Sequence, residues 1–263
     1  MKGIKTSPGI AIGKVFVYKE PEINVVKENI TNVEEELSRL EKAIDQGIQE
    51  IDRLYKRTLD KIGEKEAEIF NAHKMILEDP EFIASIEEKL KSEKTNAEWA
   101  VKTVSDQYIQ IFENMEDEYL KERASDIKDI SARILRILLG VQATDLTAIE
   151  EEAIILAYDL TPSDTAQIDK EMVLGFVTEI GGPTSHTAIM ARTMEIPSIS
   201  GIKNVTSIAA NGVPIILDGE KGELFLDPNE DLVEEIRLKN DIVDVISGYI
   251  KLQRKGSNHM GLC

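Results

Sequence analysis

Residues 173–192 read VLGFVTEIGGPTSHTAIMAR. Val173, Phe176, Val177 and Thr178 favour a strand, Gly181-Gly182 a turn, and Thr184 or Ser185 the N-cap of a helix that carries Ala188, Ile189 and Met190. A strand feeding a helix through a glycine turn is a building unit of an α/β sheet. Short apolar runs at 153–156, 197–199, 213–217 and 223–226, separated by turn residues and short helical patterns, extend that texture from about residue 150 to 230.

Moving outward, the first twenty residues also alternate, with Ile10, Ile12, Val15 and Val17 among Gly9, Gly13 and Lys14. Two short strands cannot bury an apolar face alone, so they must join the sheet encoded after residue 150. Between about residues 31 and 140 the apolar period is 3.6 instead. One stripe holds Leu37, Leu40, Ile44, Ile48 and Ile51, another Val101, Val104 and Tyr108, a third Ile127, Ile130, Ile134 and Leu138. Thr31 with Glu34 and Thr95 with Glu98 match capping boxes, Asp79-Pro80 starts a helix, and Gly140 stops one. An antiparallel helical bundle follows, inserted into a discontinuous α/β domain. The expected boundaries are 1–20 plus 146–230 for the α/β part and 21–145 for the bundle. Residues 231–254, with Leu232, Ile236 and Val243, suggest a linker helix, and KGSNHMGLC at 255–263 an appended or frame-shifted tail, so His259 and Cys263 are set aside.

The chain has 263 residues and net charge -18, which repels phosphate backbones and anionic membrane surfaces; neither nucleic acid nor membrane is an expected partner. No apolar run approaches 18 residues, and MKGIKTSPGIAIGK lacks the apolar core of a signal peptide. One cysteine, the last residue, permits no intrachain disulfide, so a cytoplasmic location is expected. Three histidines without Cys-x-x-Cys or His-Glu-x-x-His support no metal site, and neither a P-loop nor a Gly-x-Ser-x-Gly elbow occurs.

His186 then stands out, because it falls in the first turn of the helix after the glycine turn. There the open amides and the positive end of the dipole favour an anion by about 0.3–1 kcal/mol when exposed. A neutral imidazole is a nucleophile at physiological pH, and such a site lowers the cost of making it a dianionic phosphohistidine. His186 also precedes Ile189 and Met190 by three and four residues, as a satisfied histidine at a core edge would. Spacing alone leaves both roles open, the core-edge histidine being the commoner.

GGPTSHTAIMAR at 181–192 resembles the phosphohistidine signature of the Enzyme I family of the bacterial phosphoenolpyruvate-dependent sugar phosphotransferase system. GIKTSPGIAIGKVFVY at 3–18, EAEIFNAHKMILEDPEF at 66–82, DEYLKERASDIKDI at 117–130 and DLTPSDTAQI at 159–168 resemble further family segments in the same order, over about residues 1–230. The resemblance implies an α/β phosphohistidine (swivelling) domain, discontinuous, with an inserted antiparallel α-helical bundle. It implies that His186 carries a phosphoryl group from phosphoenolpyruvate to a histidine of the carrier protein HPr in sugar uptake, within a loop of Gly181, Gly182, Thr184 and Ser185. Thr165 is the implied hydrogen-bond partner of His186. An HPr-docking face is implied at Glu68, His73, Met75, Ile76, Asp79, Glu81 and Arg123, although a run of acidic residues is more often only a solvated helix face, and His73 shares a stripe with Ile69 and Ile76, which fits a core residue as well.

The family's phosphoenolpyruvate-binding, magnesium-dependent C-terminal domain has no counterpart here, so the resemblance implies a monomeric fragment, without cofactor, that exchanges phosphoryl groups with HPr only. Two other readings stay open: the swivelling phosphohistidine domain of a pyruvate phosphate dikinase or phosphoenolpyruvate synthase, and a non-catalytic helical adaptor.

Overall fold

The computed structural model of the chain describes residues 1–142, 146–240, 253–255 and 258–260. Strands β1 (Ile4–Ser7) and β2 (Ile10–Val17) come first, followed by five helices: α1 (Val33–Lys61), α2 (Glu64–Leu77), α3 (Pro80–Glu93), α4 (Ala97–Glu113) and α5 (Glu118–Leu139). A 3-10 turn, Leu146–Ala148, leads to β3 (Ala153–Ala157), α6 (Pro162–Thr165), β4 (Val173–Thr178), α7 (His186–Met194), β5 (Ser198–Ser200), α8 (Val205–Ile208), β6 (Pro214–Asp218), β7 (Glu223–Leu226) and α9 (Glu230–Lys239). Two short antiparallel strands, β8 (Gln253–Lys255) and β9 (Asn258–Met260), close the described chain.

Seven strands form one sheet in the order β1-β5-β4-β3-β2-β6-β7. β2 lies parallel to β3, with Val15 opposite Ile154 and Val17 opposite Leu156, and antiparallel to β6. Parallel neighbours require a crossover. Here the connection between β2 and β3 contains all five long helices, so both N-terminal strands share the sheet with strands read more than 130 residues later. β3 is buried along its whole length, as expected of a central parallel strand covered on both faces.

The helices bury their apolar stripes on one another. Leu40, Ile44, Ile51, Phe70, Phe82, Leu90, Val101, Ile130 and Ile134 form one core, which Ala166, from the segment just after α6, joins. Gly140, with φ +65°, stops α5 in the left-handed conformation that glycine adopts without strain.

Local signals are corrected in three places. The cap of α1 is Asn32, not Thr31; its side chain accepts from the Glu35 amide. The expected Thr95/Glu98 box does not form, because Glu98 pairs with Arg39 across the bundle and Asn96 accepts from the Glu28 amide at 3.0 Å. Residues 253 and 254, expected in a linker helix, lie in β8 paired with β9; the helix of this region ends at Lys239, and 241–252 lie outside the described residues. Among the described residues no helix is long and apolar enough to cross a membrane.

Candidate functional site

β4 ends at Thr178, whose hydroxyl donates to the Ile180 carbonyl at 2.7 Å and so turns the chain out of the sheet. The Glu179 carboxylate accepts from the Asn204 and Thr206 amides, at 2.9 and 3.0 Å, which ties the loop to α8. Burial works against ionising Glu179, but these bonds and the Thr206 hydroxyl hold its carboxyl below the usual carboxylate range. Gly181 turns the loop at φ +103°, a conformation costly for any side chain.

Of the two candidate caps, Ser185 takes the role. Its hydroxyl accepts from the Ala188 amide at 3.2 Å and donates to the Gly182 carbonyl at 2.9 Å. Gly182 and Ser185 thus set the helix start, while Thr184 is exposed on the loop. His186 is the first residue of α7, half-buried, and its ring makes no hydrogen bond or ion pair among the described residues. It faces a cleft of about 200 Å³ lined also by Pro162, Thr165 and Met190 on its own side and by Lys65, Glu66 and Phe70 of α2 opposite. An accessible, unpaired imidazole beside a helix start is arranged for nucleophilic attack on an electrophile whose product is anionic.

Thr165 is fully buried beside this cleft, but its hydroxyl donates to the Pro162 carbonyl at 3.0 Å and no hydrogen bond joins it to His186. The expected bond is corrected accordingly: the short α6 turn uses the hydroxyl to satisfy its own carbonyl. The neighbouring Thr187 hydroxyl instead reaches the Leu160 carbonyl at 2.7 Å.

The residues expected to dock a partner divide. Met75 is 72% exposed, and Glu68, Asp79 and Glu81 are also on the surface, Asp79 capping α3 through bonds of 2.9 and 2.8 Å from the Glu81 and Phe82 amides. Ile76 is half-buried against the bundle core. His73 is a correction. It is fully buried, packs its ring edge on Phe70 at 5.8 Å, and sits 3.4 Å from the Asp126 carboxylate, because its place on the α2 stripe points it inward. Arg123 donates to the other oxygen of Asp126 at 3.2 Å, so His73 and Arg123 meet through a carboxylate that sequence reasoning passed over.

Three more residues were missed. Ser163 of α6 donates to Asp129 of α5 at 2.8 Å and accepts from Arg133 at 2.8 Å, all three buried. Asp126, Asp129 and Arg133 recur at helical spacing beside the apolar stripe of α5, and that polar periodicity was the available signal. Tyr18 of the segment after β2 donates to Asp164 at 2.6 Å. Burial holds the Asp164 carboxyl above the usual range, against the bonds from Tyr18 and Thr161. The folded protein therefore binds this proton more readily than the unfolded chain. The resulting stabilisation is complete below the ordinary value of 3.8 and is lost as pH rises through the raised value. A carboxyl-carbon NMR titration of Asp164 is expected to show a midpoint above 3.8; one at or below it would contradict the desolvation argument.

Comparison with known proteins adds to this geometry. Residues 2–123 match the model of the N-terminal domain of PEP-utilising enzymes, and residues 149–222 that of their mobile domain. The phosphoenolpyruvate-protein phosphotransferase of Bacillus subtilis is 44% identical over 241 residues, 92% of this chain and 42% of its own length. That of Priestia megaterium is 46% identical over 239 residues, 91% of this chain and 42% of its own length. This chain thus spans less than half of these relatives. The solution structure of Enzyme I (nEIt) matches with a TM-score of 0.80 at 45% identity, over 93% of this chain and 99% of that one. A structure described as the N-terminal domain of Enzyme 1 - Nitrogen matches with a TM-score of 0.60 at 27% identity, over 94% of this chain and 99% of that one. Residues 228–263 match a CHC2 zinc finger model, which also covers the stretch expected to be an unrelated tail. A structural zinc takes four nitrogen or sulfur ligands, whereas this segment offers one cysteine, Cys263, and one histidine, His259, so its residues do not fit the metal.

Proposed function

Because the chain belongs to the Enzyme I family, as its N-terminal part, we propose that it is a phosphoryl carrier that exchanges a phosphoryl group between His186 and a histidine of HPr. The observation that supports this most is the unpaired, accessible His186 ring at the start of α7, opposite α2. In the transfer, the P–N bond to the donor imidazole breaks as a P–N bond to His186 forms; the electron pair returns to the donor ring, which takes up a proton as the phosphorylated His186 ring gives up its N–H proton, so atoms and charge balance between two histidines. Little covalent chemistry is asked of the rest of the protein; positioning and charge stabilisation carry the rate.

Residues 1–20 with 146–230 are read as the phosphohistidine domain and 21–145 as the inserted HPr-binding domain, a division that the shared sheet of β1 to β7 supports. The binding of phosphoenolpyruvate, with its magnesium, is assigned to the part of the relatives that this chain does not match. A histidine that receives at one site and donates at another must be presented to both, so the α/β part is expected to turn against the bundle.

Mixing the protein with phosphorylated HPr is expected to move an acid-labile phosphate onto it, seen as a mass gain of one phosphoryl group. A protein that binds HPr and never gains the label would be an adaptor, and the carrier reading would fall. For docking, Met75→Glu is expected to raise the KM for phosphorylated HPr about tenfold or more at an unchanged saturating rate, since it puts a charge in place of an exposed apolar side chain. An unchanged KM would move the docking face elsewhere.

A further inference from the structure

We propose that Asp129 and Arg133 of bundle helix α5 are positioning residues for His186, acting through the hydroxyl of Ser163; this rests on the carrier reading above. The Ser163 Oγ sits between the two, 2.8 Å from an Asp129 carboxylate oxygen and 2.8 Å from the Arg133 Nη2, and the Ser163 amide also points at Asp129, at 3.3 Å. Each of the three side chains belongs to a residue more than nine-tenths buried, where a charge-assisted hydrogen bond is strong and a lost partner is costly.

Ser163 lies in the middle of the Pro162–Thr165 turn, and Pro162 and Thr165 form part of the wall of the His186 cleft. The segment entering this turn receives the Thr187 hydroxyl at the Leu160 carbonyl. One line of contacts therefore runs from α5 through Ser163 and the turn to the residue next to His186. Arg57 of α1 adds to the bundle's hold just beyond the turn, donating to the Gln167 carbonyl at 2.9 Å. In this arrangement of the two parts, the one in which His186 faces α2, the bundle thus fixes the floor against which the imidazole is aimed, although no bundle side chain bonds the ring itself. An in-line transfer is sensitive to such aim, because a displacement of about 1 Å can cost on the order of a hundredfold in rate.

The test is the transfer from phosphorylated HPr to the full chain, with saturating rate and KM measured separately. Ser163→Ala is expected to lower the saturating rate about tenfold to a hundredfold at an unchanged KM, because a docked partner cannot touch these buried groups. Ser163→Thr keeps the hydroxyl and is expected to restore the rate to within about threefold. Without any partner present, the His186 ring resonances should shift in Ser163→Ala and return in Ser163→Thr. A folded Ser163→Ala protein with the parental rate, or equal losses in both variants, overturns the proposal. If Ser163→Ala does not fold, Asp129→Asn decides, with a reduced rate at unchanged KM in support and a parental rate against. Wild-type protein that takes no label, or label that survives His186→Ala, would instead refute the carrier reading.

Discussion

In the His186→Ala protein, transfer from phosphorylated HPr is expected to stop, with labelling down by at least about 10³-fold, because the imidazole that forms the P–N bond is gone. His73 is the other histidine among the fully described residues, and it is closed off beneath Phe70 and Asp126. Among the described residues the His186 ring has no hydrogen bond to lose, and it is half-buried, so the melting temperature should stay within about 2 °C of the parent. Acid-labile label, intact mass and a melting curve on the same sample make the check. Label retained at the parental level would place the chemistry on a different residue. A melting temperature far below the parent's would show that the ring supports the fold.

Phe176→Ala should have the largest effect on stability. Phe176 is 1% exposed in the middle of β4 and packs in a cluster with Ile155, Leu160, Ile168, Ala191 and Ile196, which belong to the sheet, to the segments around α6, to α7 and to the turn after it. Removing a buried ring of this kind costs about 3–5 kcal/mol, from the lost transfer free energy and the cavity left behind. Against a total stability of about 5–15 kcal/mol this is a large fraction, and it corresponds to a melting point lower by roughly 6–20 °C. Ala191 belongs to the same helix as His186, so the cavity also loosens the platform under the site. Urea titrations should show a lower midpoint at a similar slope. A loss below about 1 kcal/mol would mean that the cluster can collapse around the gap.

Much of this was legible in the chain itself. The five long helices follow from a 3.6-residue apolar period, β4 and β7 fall where alternation and turn residues put them, and Gly140 ends α5. That the first two strands join the sheet encoded after residue 150 was also inferable, because they had nowhere else to bury their apolar face. At the site, the place of His186 at a helix start followed from Gly181, Gly182 and the hydroxyl residues after them.

Other features were not settled by the residue type at the position. Thr31 and Asn32 are both competent caps, and only the register of α1 chose Asn32. Glu98 left its local box for Arg39, 59 residues away. His73, expected on a docking face, is buried instead, since its neighbours on the stripe, Phe70 and Leu77, are core. Thr165 met its own turn rather than His186.

Periodicity, turns and helix starts are settled by residues within about four positions of one another, so the chain encodes them directly. The pairing of Ser163 with Asp129, 34 positions apart, and of Tyr18 with Asp164, 146 apart, is different in kind. A polar group taken out of water must find a partner, and which one it finds is decided only when helices and sheet have packed and excluded the solvent.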